Sequence, residues 1–97
     1  VSKPYKLQIL VNGKNITELI IGDHYKENHP DINDEIIIDL VSLLDGKRFV
    51  GEKTDQYEYF RSELERNQKL YGLIWILEEN KVYVGVINTY RINKRSE

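Results

Sequence analysis

No cysteine occurs among the 97 residues, which removes disulfides, thiol nucleophiles and cysteine-ligated zinc and fits a reducing compartment. Methionine is absent too, and the chain opens on Val1, so a trimmed chain or a piece of a longer one is expected. No apolar run approaches the ~18 residues that cross a bilayer, and the opening "VSKPYK" carries no signal-peptide stretch. The expectation is a protein of the cytoplasm with no membrane partner. The only serines are Ser2, Ser42, Ser62 and Ser96, and none sits in a G-x-S-x-G elbow. No glycine loop of the phosphate-cradling kind is present; Gly72 and Gly85 stand alone within apolar runs, where glycine allows close packing. Neither sign of charge dominates: Lys and Arg number 14, Asp and Glu 16, and the net charge of -2 gives no global attraction to polyanions.

What is present describes one ordinary globular domain, 40% hydrophobic and 31% charged. A chain of this length buries roughly two thirds of its unfolded surface, enough for one core and not two. "YKLQILV", "NGKN" and "ITELII" form a hairpin pattern around Asn12-Gly13, predicting strands over about 5–11 and 15–21. "DINDEIIIDLVSLLDG", residues 31–46, carries an apolar stripe at helical spacing (Ile36, Ile37, Leu40, Val41, Leu43, Leu44). Asp31 is its expected cap, Asp34 and Glu35 complement the dipole, and Gly46 terminates it. Residues 55–66 fit a strand or a helix; their aromatic density and the turn-like "RNQK" favour strand. Strands over about 70–78 and 81–91, joined at Glu79 and Asn80, are apolar enough to form the middle of a sheet. The expected fold is α+β: an antiparallel sheet of about five strands with an N-terminal hairpin, packed on one main helix. A single domain over 1–92 and a flexible tail over 93–97 complete it.

Chemistry concentrates in two places. "GDHYKENHP" holds His24, Lys26 and His29, and the end of the last strand holds Asn88, Thr89, Tyr90 and Arg91, followed by Lys94 and Arg95. His24 and His29 are five apart, a poor spacing for two metal ligands on one element, so no metal or other cofactor is expected. Metal-free cleavage of RNA needs one group to take the 2'-hydroxyl proton, another to protonate the leaving oxygen, and cations around the phosphorane. These two stretches contain the side chains for it, provided the fold brings them to one side of the sheet. The plainer reading makes "GDHYKENHP" a strand-to-helix loop, and Tyr90 and Arg91 cover for a sheet edge. Tyr5, Tyr57, Tyr59, Tyr71 and Tyr83 are then rim residues of the core.

Residues 23–91 resemble the small toxins of the RelE superfamily, particularly their BrnT-like relatives. The resemblance rests on a histidine ahead of a helix that begins I-x-x-E-x-I (Ile32, Glu35, Ile37), on the order of elements, and on a last strand ending "NTYR". It implies a metal-independent ribonuclease of a toxin-antitoxin system, with RNA as substrate and an antitoxin as protein partner. By position, Arg91 would stabilise the phosphorane, Tyr90 would orient or protonate, and His24 would be the acid or base. Lys26, His29, Asn88, Lys94 and Arg95 would bind the substrate. The N-terminal hairpin is additional to that pattern. The competing expectation is a non-catalytic protein-binding domain, such as an immunity, phage-associated or accessory protein, which suits the mild acidity and an exposed hairpin edge.

Overall fold

The computed structural model describes residues 3–22 and 31–93. Six strands and one helix follow in the order β1 (Lys3–Val11), β2 (Lys14–Ile21), α1 (Asp34–Ser42), β3 (Glu52–Thr54), β4 (Tyr57–Arg66), β5 (Lys69–Glu78) and β6 (Tyr83–Ile92). One sheet contains them all, in the spatial order β1-β2-β6-β5-β4-β3.

Two tight turns fix the outer registers. Asn12 and Gly13 adopt φ of 52° and 73°, so Val11 pairs with Lys14 across a two-residue loop whose twist suits a hairpin. Asn67 and Gln68, at φ of 53° and 66°, do the same between β4 and β5, pairing Arg66 with Lys69. The ambiguous stretch is thereby settled as a strand, β4. Its alternation of Phe60, Ser62 and Leu64 inward with Tyr59, Arg61 and Glu63 outward is the period-two pattern of a half-buried strand.

The sheet departs from the antiparallel one expected. It has six strands and is mixed, because β2 runs parallel to β6, with Glu18 opposite Tyr83 and Ile21 opposite Val86. The amides of Thr17 and Glu18 both donate to the Val82 carbonyl, at 2.8 and 3.2 Å, and that of Gly22 donates to the Val86 carbonyl at 3.1 Å. Antiparallel neighbours leave a turn signal in the sequence; a parallel pair joined through intervening elements leaves none. The sixth strand, β3, consists of three exposed residues with no apolar pattern to announce it. As expected, β5 and β6 occupy the centre of the sheet.

The helix is shorter than its apolar stripe suggests. Asn33, not Asp31, is the cap: its backbone is extended and its Oδ1 accepts the Ile36 amide at 2.9 Å. Beyond Ser42 the chain tightens, Leu43 and Leu44 donating to Leu40 and Val41. Asp45 then accepts the Leu10 amide at 2.7 Å, and the Gly46 amide donates to the Leu10 carbonyl at 2.6 Å. The Gly46 amide and the Asp45 carboxylate are thus spent on β1 just past the end of the helix.

One core lies between helix and sheet. Ile37, Leu40, Val41 and Leu44 are fully buried, each contributing about 1.5–3 kcal/mol relative to exposure. At its centre Trp75 stacks on Phe60, ring centroids 4.0 Å apart and planes 12° apart, while Phe49 meets Trp75 edge-on at 5.4 Å. The buried indole N–H donates to Ser62 Oγ at 3.1 Å, so neither polar atom is stranded. No helix among the described residues is long and apolar enough to cross a membrane.

Candidate anion-binding site at the open end of β6

The last strand changes faces midway. Val84 and Val86 point toward the helix, as the partners of Leu77 and Trp75. The register then shifts: Asn88 pairs with Ile74, and Ile87 is left as an extra, unpaired residue. One such bulge residue inverts the parity of everything after it. Thr89 and Arg91 therefore face inward, opposite Leu73 and Tyr71, and Asn88 and Tyr90 face out.

The same half of β6 is paired on one side only. Because β2 ends at Ile21, residues 88–92 have β5 as their one neighbouring strand among the described residues. The Thr89 amide on the open side is met by Asn88 Oδ1 at 2.9 Å, a side chain filling the place of a strand. Gly22, where the chain leaves β2 for residues 23–30, is bonded to Val86 just ahead of the bulge.

Around this end the inward side chains are polar. The Arg91 guanidinium carbon lies 5.8 Å from the centroid of the Tyr71 ring, and Nη2 reaches Asn93 Oδ1 at a long 3.5 Å. Its Nε is buried with no acceptor among the described residues, and so is the hydroxyl of Thr89, a residue wholly shielded from solvent. Such groups are costly unless something pairs with them. Arg66, two pairs beyond Leu64 on the same face, holds Asp39 of the helix through Nε–Oδ2 at 2.7 Å. That hydrogen bond holds the guanidinium in its charged form more firmly than usual, with the Tyr71 hydroxyl adding to it. At the edge is a cleft of about 450 Å³, lined by Arg91, Lys69, Gln68 and Asn93, with Glu65 as its one carboxylate. Two cations and two amides make this cleft suited to an oxyanion.

A second cleft, about 200 Å³, lies at the far end between Asn12, Lys14, Lys53 and Glu78. Its Lys14 ammonium is already engaged, donating to the Glu78 carbonyl at 2.7 Å.

Of the residues singled out in the sequence, His24, Lys26, His29, Lys94 and Arg95 lie outside the described residues. Arg91 stands in the cleft. Asn88 and Tyr90 share its strand but occupy the opposite face, where Tyr90 covers Gly72. Arg91 and Tyr90 are therefore neighbours in sequence without sharing a site. Sequence reasoning passed over Lys69 and Tyr71 as neighbours of Arg91 and Arg66 as the partner of Asp39. The turn "RNQK" signalled the hairpin that carries Lys69, but nothing local signals a bulge at Ile87. Among the described residues no group of three or more His, Asp and Glu could hold a metal ion.

No protein-family model, curated protein or solved structure matches the chain. Arg91, Lys69 and Asn93, which line the cleft, can bind and orient a phosphate. Arg91 cannot serve as a base, because a guanidinium does not deprotonate in proteins.

Proposed function

We propose that the chain is a metal-independent ribonuclease of the toxin-antitoxin kind, acting in the cytoplasm on RNA and restrained by a protein partner. The observation that carries this reading is the parallel pairing of β2 with β6. It sets Gly22, the residue that follows β2, against Val86 on the strand that goes on to Arg91.

Arg91 then contacts the scissile phosphate, its forked guanidinium matching two oxygens, and Lys69 adds charge at the cleft. His24 supplies the proton transfer that the Arg91 guanidinium cannot perform. Tyr90, on the other face, has no part in this arrangement.

The test is cleavage of a mixed RNA pool in the presence of a chelator, free and on translating ribosomes. His24→Ala is expected to lower turnover at least about 100-fold with the fold intact. Arg91→Lys, which keeps the charge and loses the fork, is expected to fall by about tenfold or more. Absence of cleavage by the folded parent in both formats would overturn the reading. It would leave the protein-binding domain, the reading that the uncovered face of the sheet favours.

A further inference from the structure

The helix covers one face of the sheet; the other has no covering element among the described residues. Successive pairings define what that face presents. One row across the sheet runs Glu52, Tyr59, Ile76, Gly85, Ile20, and the next places Tyr83 beside Glu78. Two glycines form its floor. A Cβ on Gly85 would meet Ile76 at 3.0 Å and Tyr83 at 3.3 Å, and one on Gly72 would overlap the ring of Tyr90. Ile76, Tyr83 and Tyr90 therefore lie down over the glycines and give a low, broad apolar platform. Tyr59 and Ile87 rise from it, 41% and 37% exposed.

The charge around this platform has one predominant sign. Glu18, Glu52, Glu63 and Glu65 are exposed on this face, and against them stand Lys6 and Arg61. An acidic border repels the phosphates of a nucleic acid. It also sets like charges opposite one another if two copies of the chain meet face to face. A polypeptide with apolar side chains bordered by lysine or arginine meets neither objection, and tyrosine-rich, flat apolar surfaces are the kind that anchor protein partners.

We propose that this outer face is the docking surface for a basic, amphipathic segment of a partner protein. Apolar side chains of the segment lie on Tyr59, Ile76 and Tyr83, and its cations meet Glu63 and Glu52. The surface is on the face opposite Arg91, so the inference stands whether or not the chain cuts RNA, and its test reads binding alone.

The probe is a synthetic helical peptide with leucine along one side and lysine along the other, titrated into isotope-labelled protein and followed by amide chemical shifts. Shifts are expected at outward residues of β4, β5 and β6, with the helix and the Arg91 end unmoved. Glu63→Lys is expected to weaken binding about tenfold or more, and Asp31→Lys, an equal change of charge on the helix side, by less than about threefold. Tyr59→Ala should weaken it while leaving the charge unaltered. Four results would each overturn the proposal. They are equal weakening by the two lysine variants, equal binding of a leucine-glutamate peptide, shifts of the same residues by polyuridine, and self-association of the free protein through this face.

Discussion

Tyr90 lies directly over Gly72, its phenol ring filling the volume that a Cβ at position 72 would need, the would-be carbon only 2.6 Å from the hydroxyl oxygen. The two are cross-strand partners on the outer face. Gly72→Ala is expected to cost about 1–3 kcal/mol through overpacking. Tyr90→Ala relieves the conflict, so the double variant should be more stable than the sum of the two single losses implies. Urea unfolding followed by the fluorescence of Trp75, the sole tryptophan, measures all three.

Asn33 and Asp31 separate two ideas of where the helix begins. Only Asn33 has its side chain on a first-turn amide. Asn33→Ala is expected to lower stability by about 1 kcal/mol, and Asp31→Ala by no more than ~0.5 kcal/mol. A reversal of that order in urea midpoints would move the cap to Asp31.

Thr89 carries a buried hydroxyl with no partner among the described residues. Thr89→Val keeps the shape and deletes the stranded group, so a gain of roughly 1 kcal/mol is expected. The hydroxyl is shielded from solvent and lies outside the cleft, so the same variant should leave RNA binding unchanged while its urea midpoint rises.

Two phenols titrate above their ordinary value of 10. Tyr83 is raised chiefly by burial and further by donating to Glu78 Oε1 at 2.5 Å; Tyr5 is raised chiefly by donating to Asp34 Oδ2 at 2.6 Å. The folded state keeps these protons where the unfolded chain releases them. Their contribution is whole below pH 10 and is lost as the pH rises from there toward the folded values. Tyr83→Phe should flatten the decline of stability above pH 10, measured as the urea midpoint against pH.

Much of the local structure was legible because local chemistry imposes it. Asn12-Gly13 admits positive φ and makes the first hairpin; the dense apolar run from Leu70 to Leu77 belongs in the middle of the sheet and lies there. The helix stripe was right for Ile37, Leu40, Val41 and Leu44 and wrong for Leu43, which is exposed. Gly46 takes the left-handed φ expected of it, but the helix stops at Ser42, and Asp45 and Gly46 bond to Leu10, a partner far away in the chain. The site was the least legible part. Period-two reading carried through Val84 and Val86 would aim Asn88 and Tyr90 at the core, and the extra residue at Ile87 aims Thr89 and Arg91 there instead. A bulge has no residue signature of its own, so no inspection of "VGVINTYR" could have assigned the faces.

The parallel seam between β2 and β6 also orders events in time. Glu18 and Tyr83, which meet there, are about 65 residues apart in the chain, among the more distant contacts a domain of this size can make. During synthesis the first hairpin has no sheet to join until the final strand has left the ribosome. Until then the apolar sides of Leu19 and Ile21 wait in water, and the growing chain depends on speed or on a chaperone to keep them from other company.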